Sequence, residues 1–437
     1  MDRKPLNQIL DEISTTRVAV LGDFCLDAYW MIDPRAGEAS LATGKRTQPV
    51  KAQRYSLGGA SNVVHNLVDL GVESVCAIGV IGDDLFGREL VHLLSEIGAD
   101  VEGLLIQERH WDTPVYGKPY YGEEEQQRID FGMFNRIGPN TEQRLIQQLE
   151  RTLRSVQSVI INQQLAGGIY GADLVKGING IISRKPDQCF IVDSREISGA
   201  FRKAVLKLNQ WEAARLAGVE KPSGGIIPRE ELLRCARKIK DETDARAVFI
   251  TRESRGMVVY DGEQEVDVPG IQLLNRIDPV GAGDAGVSAV AAALAGGATV
   301  SEAARLANFA SAVTVQKLFQ CGTASPEEIL EIGSSPDYVY HPELSEDPRR
   351  AIHVEGTEIE IVREGVQPGR IEHVIFDHDG TLSALRQGWE QIMEPAMIRA
   401  ILGDSYLSAD EGLYHRVVER VRAYIDQSTG IQTLVQM

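Results

Sequence analysis

The stretch "DPVGAGDAG", residues 278–286, puts an aspartate into a run of small residues. Every neighbour of Asp284 from Gly281 to Gly286 is glycine or alanine, which is too little apolar bulk for a core and too little polarity for an ordinary exposed loop. A Gly-Ala-Gly turn before a helix leaves backbone N–H groups open at the positive end of the helix dipole, where they bind phosphate or a developing anion. An aspartate in the first helical turn can take a proton from a hydroxyl group held nearby. The pattern favours phosphoryl transfer to an alcohol, and the alternative is a close-packed helix start whose aspartate complements the dipole.

Length and composition limit the class of protein. The chain has 437 residues, which is too long for one typical domain, so we expect two. Its net charge of -18 offers no broad basic face for nucleic acid. The five cysteines are odd in number, scattered and without metal-ligand spacing, which indicates a reducing compartment without disulfide bonds. Because the N-terminal segment lacks the apolar core of a signal peptide and no apolar run could span a bilayer, we expect a cytoplasmic protein without nucleic-acid or membrane partners.

Apolar segments that end in polar residues alternate with helical segments along most of the chain. This alternation predicts an α/β fold, in which a mainly parallel sheet is covered by helices on both faces. Ligands then gather at the C-terminal ends of the strands. The strands are expected at 18–21, within "SVCAIGVIG" (74–82), and at 158–162, 189–194, 247–253 and 256–262.

Several short motifs follow one another in a defined order. They are "LGD" (21–23), "GGASNVVHNLVDLG" (58–71), "IGVIGDDLFGREL" (78–90), "NQWE" (209–212), "TRESRG" (251–256), "GAGDA" (281–285) and "GTASPEE" (322–328). Together they resemble the ribokinase-like (PfkB-type) family of ATP-dependent sugar kinases over residues 15–330. The resemblance implies a ribokinase-like fold, ATP and Mg²⁺, and a sugar or sugar phosphate as substrate. The polar regions 31–56 and 112–131 would then form a small β lid over the sugar, shared across a homodimer.

The same resemblance implies roles for individual residues. Asp284 would be the catalytic base, and the backbone of Gly281, Ala282 and Gly283 the anion hole. The residues implied to hold the sugar hydroxyls are Asp23, Asp27, Gly58, Gly59 and Asn62. Those implied to contact the nucleotide are Thr251, Gly256 and Asn308, and those implied to organise Mg²⁺ and its waters are Asn209 and Glu212. A carboxylate suits vicinal hydroxyls and Mg²⁺ keeps most of its waters, but Asp23 as a strand-end cap and Asn209 with Glu212 as a helix N-terminus remain alternatives.

The segment "EEEQQRIDFGMF" (123–134) resembles the Gln–Arg–Asp segment of heptose-phosphate kinases, as "GDFCLDAYW" (22–30) resembles their opening strand. Arg128 would bind a substrate phosphate, because guanidinium pairs with phosphate through two hydrogen bonds. Asp130 would orient Arg128 or accept a hydroxyl. The alternative is an ion pair along one face of a strand.

The motifs depart from the family at two points. Glu253 stands where the family usually has glycine, which predicts an altered nucleotide loop. Pro279 and Val280 stand where threonines are more frequent. Asp278 and the loops around it resemble the family's monovalent-cation site, which implies K⁺.

A second unit begins near "VIFDHDGTL" (374–382), which resembles the first motif of haloacid dehalogenase-type phosphatases. Asp377 would be the nucleophile and Asp379 the acid/base, with Mg²⁺ offsetting their charge. No lysine follows Lys317, and no later apolar strand ends in paired acids. We therefore expect a kinase domain at 1–333, a linker at 334–370 and a truncated, inactive phosphatase-like segment at 371–437, in which two helices follow the motif.

Two other functions are compatible with these motifs. One is a phosphatase whose kinase-like part only binds sugar, and the other is a non-catalytic sugar sensor. The intact Asp284 and the incomplete phosphatase argue against the first, and Glu253 alone supports the second.

Overall fold

The structure of the protein is a computed structural model, and it describes residues 4–122, 124–219, 227–273, 277–318, 321–339, 352–357, 361, 369, 373–376 and 389–428. The chain divides into two compact units. Unit 1 comprises Met1–Val219 and Arg229–Asp337, and unit 2 comprises Glu220–Pro228 and Tyr338–Met437. No helix in the described part of the chain has the length and apolar character needed to cross a membrane.

A nine-stranded sheet forms the centre of unit 1, with the strand order β14-β13-β12-β11-β10-β9-β1-β4-β5. All neighbouring strands are parallel except at the β12–β13 and β13–β14 pairs, which are antiparallel. The strands are β1 Arg17–Gly22, β4 Ser74–Ile81, β5 Asp100–Ile106, β9 Ser158–Gln163, β10 Cys189–Ser194, β11 Val205–Asn209, β12 Ala247–Thr251, β13 Met257–Tyr260 and β14 Glu265–Val268. The expected mainly parallel α/β fold is confirmed.

The helices in the described part of unit 1 precede, connect or follow these strands. They are α1 Leu6–Ile13, α2 Ala60–Asp69, α3 Leu85–Glu96, α4 Pro139–Thr152, α5 Ala172–Arg184, α6 Gln210–Leu216, α7 Arg229–Thr243, α8 Ala282–Ala295, α9 Val300–Thr314 and α10 Pro326–Ser334. In α8, every residue from Ala285 to Ala293 is buried. A helix that is apolar on all sides lies inside the protein, and α8 accordingly packs against α9, α2 and the sheet.

A separate five-stranded sheet forms the expected lid. Its strands are β2 Phe24–Ile32, β3 Val50–Gly59, β6 Val115–Tyr121, β7 Glu124–Glu125 and β8 Ile129–Phe131. Strand β2 pairs antiparallel with β3 and parallel with β6, and β6 also pairs with β7 and β8. Both polar regions that looked extended in the sequence contribute strands to this sheet.

Some strand predictions were incomplete. Strands β5, β11 and β14 were not expected, and β12 ends at Thr251 because residues 253–255 form a 3-10 turn. In β11, the apolar pattern is interrupted by Lys207, a charged residue that is only 5% exposed. A buried lysine is uncommon unless it has a partner, so the sequence pattern concealed this strand.

Within unit 2, the two expected helices are α11 Trp389–Leu402 and α12 Glu411–Ser428. They pack around a small core formed by Ile398, Leu402, Tyr414, Val418 and Val421. Residues 373–376 are described but have no assigned strand, and Asp377 and Asp379 lie outside the described residues. The phosphatase-like character of this segment stays a prediction.

Candidate functional site

The first turn of α8 carries the aspartate of the small-residue stretch. Gly281 is the N-cap and adopts a left-handed conformation with φ of 86°, which glycine reaches without a steric penalty. Asp284 is half-buried at the third helical position. The Ala282 N–H group donates to the Pro279 carbonyl at 3.3 Å, whereas Gly283 is exposed. An anion hole built from 281–283 stays a prediction, and in this structure one of its amides has a protein partner.

Asn62 of α2 contacts Asp284 directly, although 222 residues separate them in the chain. Its Nδ2 donates to Asp284 Oδ2 at 2.7 Å, and Asn62 itself is fully buried. Burial raises the pKa of Asp284 to about 6, and the negative charge of Asp193 acts in the same direction. The hydrogen bond from Asn62 and the charge of Lys207 oppose this shift. The resulting carboxylate is ionised at neutral pH and close enough to its pKa to accept a proton.

A second carboxylate, Asp27, lies on strand β2 of the lid. Its Oδ2 is 3.2 Å from the ammonium group of Lys118 on β6 and accepts from the thiol of Cys321 at 3.3 Å. Burial disfavours the charged form of Lys118, but the charge and hydrogen bond of Asp27, together with Tyr29 and Cys321, outweigh it and raise the Lys118 pKa above its ordinary value. A Cβ atom on Gly58 would lie 3.3 Å from the Asp27 carboxyl carbon, so the glycine turn and Asp27 are in contact.

Asp23 has a different environment from the other expected sugar ligands. It is 2% exposed, and its carboxylate accepts backbone N–H groups of Gln164, Leu165 and Ile169 at 2.9 to 3.0 Å. Burial raises the Asp23 pKa to about 6 against the effect of these three bonds. The observed contacts fit the alternative interpretation of Asp23 as a cap at the end of its strand, since it binds the backbone of the loop after β9. Contact of Asp23 with sugar stays a prediction.

Gly59 ends β3 next to the opening strand. Its φ is 53° and its ψ is -130°, and a Cβ atom there would lie 2.8 Å from the Asp23 carbonyl oxygen. A larger residue at this position is therefore excluded on steric grounds. This close approach brings the start of α2, and with it Asn62, to the end of β1.

Arg128 and Asp130 form an ion pair on the lid. The Nε and Nη2 atoms of Arg128 each lie 2.7 Å from a carboxylate oxygen of Asp130, and the guanidinium stacks 4.3 Å from the Tyr116 ring. The Arg128 side chain remains 46% exposed. The guanidinium group is thus held in one orientation by its neighbours and still accessible, and its binding of a phosphate stays a prediction.

Two cationic residues near the candidate site were missed in the sequence. One is Lys118, and the other is Lys207, whose ammonium group donates to Asp193 at 3.2 Å. A Cβ atom on Gly283 would lie 3.3 Å from Lys207 Nζ, so this cation lies at the N-terminus of α8. Burial disfavours its charge, but Asp193 and Glu212 raise the Lys207 pKa above its ordinary value. The only sequence signal was a lysine inside an apolar run, two residues before "NQWE".

Asn209 and Glu212 form a capping box at the start of α6. Asn209 Oδ1 accepts from the Glu212 backbone at 2.8 Å, and Glu212 Oε2 accepts from the Asn209 backbone at 2.8 Å. Burial raises the pKa of Glu212, and the charge of Lys207 opposes this. This is the alternative that the sequence left open, and the role in Mg²⁺ binding stays a prediction.

The expected nucleotide-binding residues lie near the part of the main sheet formed by β12, β13 and β14. Thr251 ends β12 and pairs with Met257, the residue after Gly256. A Cβ atom on Gly256 would lie 2.0 Å from the Val268 carbonyl, and Asn308 donates to the Pro269 carbonyl at 2.8 Å. Contacts of these residues with a nucleotide stay predictions.

Glu253 shows why this loop normally favours glycine. Its φ is 57°, a left-handed conformation that is strained for a side chain larger than glycine. Its carboxylate accepts from Gln210 Nε2 at 3.1 Å. Glu253 thus keeps a backbone conformation that suits glycine better, and Gln210 holds its carboxylate.

The remaining candidate is the monovalent-cation site. Asp278 donates its N–H to the Val315 carbonyl at 2.7 Å, and its carboxylate accepts from the Val280 N–H at 3.0 Å. Among the residues that the structure describes, no group of three or more His, Cys, Asp or Glu side chains could hold a metal ion.

Comparisons with known proteins give the same overall assignment as the motifs. The model of the pfkB family of carbohydrate kinases matches residues 16–327. The bifunctional protein HldE of Geobacter sulfurreducens is 30% identical over 334 residues, covering 76% of this chain and 65% of that protein. HldE of Sulfurimonas denitrificans is 28% identical over 330 residues, covering 74% of this chain and 65% of that protein. The matches thus extend over somewhat less than two thirds of these relatives.

Solved structures with the same fold include Escherichia coli phosphofructokinase-2 in complex with potassium, with a TM-score of 0.59, 20% identity and coverage of 73% of this chain and 98% of that chain. Arabidopsis thaliana ribokinase complexed with ribose and ATP has a TM-score of 0.55 and 17% identity, with coverage of 73% and 98%. At these identities the similarity establishes the fold alone.

Proposed function

This chain belongs to the PfkB family of ATP-dependent carbohydrate kinases, and we propose that it phosphorylates a hydroxyl group of a sugar phosphate, a heptose phosphate, with Asp284 as the base. The observation that carries the proposal is the contact between Asn62 and Asp284 at the N-terminus of α8. It unites a proton acceptor, a hydrogen-bond donor and a helix dipole at one point.

Each of these groups has a defined task in phosphoryl transfer. Asp284 takes the proton of the acceptor hydroxyl, which makes the oxygen a better nucleophile. The transferred group carries negative charge throughout, and the N-terminus of α8 and the ammonium group of Lys207 stabilise that charge. Because Lys207 is buried and paired with Asp193, its ammonium group needs to move little when the phosphoryl group is transferred.

The residues present fit a Mg²⁺ ion that is bound largely by nucleotide phosphates and water. Asn209 and Glu212 are engaged in a helix cap, and an all-protein cage is absent from the described residues. Mg²⁺ usually retains several waters and takes one or two carboxylates from the protein. When bound, it neutralises phosphate charge, and the carboxylates of Glu212 and Asp193 are the groups beside Lys207 that would hold its waters.

Arg128 and Lys118 support a phosphorylated acceptor. Both lie on the lid, and Asp130 engages only two nitrogens of the Arg128 guanidinium. The guanidinium has five N–H donors, so it retains donors for a phosphate. The resemblance of segment 123–134 to heptose-phosphate kinases and the similarity to the HldE proteins both favour a heptose phosphate.

Two further features belong to the same proposal. Asp278 and its loop would bind K⁺ next to the anion hole. The lid would join two subunits, since its strands expose large apolar side chains: Val50 of β3 is 49% exposed and Ile129 of β8 is 50% exposed. A dimer that buries these side chains would remove an apolar surface from water. Light scattering tests the subunit number, and a monomer at all concentrations would contradict the shared lid.

The experiment that tests the function is sugar-dependent release of ADP from MgATP. The panel contains ribose, fructose 6-phosphate and a heptose 7-phosphate, each with and without K⁺. The proposal expects the highest kcat/KM with the heptose phosphate and no turnover without sugar. Equal activity on free and phosphorylated sugars would reject the proposal that the acceptor is a sugar phosphate. Release of inorganic phosphate from the sugar phosphate without ATP would favour the phosphatase alternative.

A further inference from the structure

Two asparagines follow one another on the face of α2 that meets α8. Asn62 and Asn66 are one helical turn apart, and they are 0% and 3% exposed. Burying an amide side chain is costly unless its donors and acceptors have partners. Both side chains are therefore held in defined orientations, and these orientations can be worked out from their partners.

The orientation starts from a backbone carbonyl. Asn66 Nδ2 lies 2.9 Å from the Asn62 carbonyl oxygen, which can only accept, so this atom of Asn66 is the nitrogen. The same nitrogen lies 3.3 Å from the Asn62 side-chain oxygen. That bond in turn directs the Asn62 Nδ2 group to the carboxylate of Asp284. If the Asn62 side-chain amide were rotated by 180°, its oxygen would face the Asp284 carboxylate, and its NH₂ group would face the NH₂ group of Asn66.

The two helices are also held in register. Ser288 Oγ lies 3.1 Å from the Val63 carbonyl oxygen and 2.7 Å from the Asp284 carbonyl oxygen, and these two acceptors, one on each helix, share its single hydrogen. The backbone of α8 therefore cannot easily slide along α2, and the approach of Asp284 to Asn62 is well defined. What remains free to change is the rotation of the Asn62 amide.

We propose that Asn66 is a positioning residue, which fixes the Asn62 amide with its N–H group towards Asp284 and so holds this carboxylate ready to accept the proton of the substrate hydroxyl. The inference rests on the proposed function, in which Asp284 is the base. Asn66 itself touches neither substrate nor Asp284.

Loss of Asn66 should change the pH dependence of turnover. Without Asn66 the Asn62 amide can turn its oxygen towards Asp284, which favours the protonated acid and raises the Asp284 pKa. Loss of such a bond corresponds to an upward shift of about one pKa unit. At pH 6 the ionised fraction would fall from about one half to about one tenth, so turnover would fall about fivefold, whereas at pH 8.5 it would approach that of the unmodified enzyme. Asp284 also interacts electrostatically with other titratable and charged groups, and all of them remain in the variants. These groups are Asp193, Arg195, Lys207, Cys25 and Cys321.

The test measures the titration of Asp284 in the full-length chain by NMR of ¹³Cγ-labelled aspartate, with the signal identified by its absence in Asp284→Asn. Asn66→Leu removes both donated bonds and keeps the number and branching of the side-chain heavy atoms. Asn66→Ser keeps a donor for the Asn62 carbonyl but is one bond too short for the Asn62 side chain, and it serves if the leucine variant does not fold. We expect the pKa to rise in both. An unchanged Asp284 titration in the folded variant would overturn the inference.

Asn179→Leu is the matched control. Asn179 also lies on a helix, α5, and its Nδ2 donates to the carbonyl four residues earlier at 3.1 Å and to the Ala200 carbonyl at 2.9 Å. Its removal should lower stability without moving the Asp284 titration. Kinetics with the heptose phosphate separate the two proposals: full activity of Asp284→Asn would reject the base, whereas an inactive Asp284→Asn with an unmoved titration in Asn66→Leu would reject only the role of Asn66.

Discussion

Replacing Asp284 by asparagine tests the catalytic assignment and the electrostatics of the site together. Asn62 can still pair with the new side chain, since an amide oxygen accepts as a carboxylate does. The fold should therefore persist while the proton acceptor is lost. We expect turnover to fall by a factor on the order of 10² to 10⁴, which is typical for removal of a general base.

The same substitution should make the folded protein more stable at high pH. The Asp284 pKa is about 6 in the folded chain compared with an ordinary value of 3.8, because the charge is buried. A group whose pKa is raised on folding contributes full stability below its unfolded pKa, and loses it as the pH rises through the folded value. Each unit corresponds to about 1.4 kcal/mol, so with allowance for the partial exposure of this side chain the charge costs on the order of 2 to 3 kcal/mol at pH 8. At pH 4 the difference between the variants should nearly vanish.

The assay is urea unfolding at pH 4, 6 and 8, followed by tryptophan fluorescence, because Trp30, Trp111 and Trp211 all lie in unit 1. Asp241→Asn on the exposed side of α7 is the control and should show no comparable change with pH. Turnover of Asp284→Asn close to that of the unmodified enzyme would reject the base. A stability gain that does not grow between pH 4 and pH 8 would refute the reasoning about the buried charge.

Three other predictions concern the lid, the nucleotide loop and the C-terminal segment. Arg128→Ala should raise the KM for a phosphorylated sugar by about 10- to 100-fold, because a charged contact with the phosphate is lost. Arg35→Ala is the control, since it breaks another ion pair between residues two apart and should leave this KM unchanged. An equal rise in the KM for ATP would contradict the assignment of Arg128 to the sugar phosphate. Glu253→Gln should lower the KM for MgATP several-fold at low ionic strength, because a carboxylate on the loop repels phosphates, and an unchanged KM would indicate that the nucleotide binds elsewhere. The chain should not hydrolyse p-nitrophenyl phosphate with Mg²⁺, and hydrolysis that disappears in Asp377→Asn would show a working phosphatase.

Much of the fold was predictable because it depends on local pattern. The alternation of apolar strands and helices identified the parallel sheet, and the extended polar regions identified the lid. Strand β11 was missed because the charge of Lys207 interrupts its apolar run, and that charge is tolerated only through Asp193 on the neighbouring strand. Pairing between strands is not visible in the pattern of one strand.

The residues of the candidate site could be predicted from the sequence, but most of their contacts could not. The sequence named both Asn62 and Asp284, but 222 residues separate them and only the packing of α2 on α8 brings them together. The alternative uses of Asp23 and of the Asn209–Glu212 pair became visible only when their hydrogen-bond partners were known. Composition cannot distinguish a carboxylate that binds a sugar from one that binds three backbone amides.

The small residues around Asp284 have a structural cause that also determines its chemistry. A Cβ atom on Gly286 would lie 3.3 Å from Ser311 Oγ, and Ser311 donates to the Ala282 carbonyl at 3.0 Å, so α8 and α9 approach closely. Larger side chains would separate these helices and admit water to the first turn of α8. Because burial is the largest cause of the raised Asp284 pKa, admission of water would lower that pKa and weaken the base. Close packing and proton transfer are therefore not competing explanations of this stretch, since the packing produces the environment in which the aspartate can act.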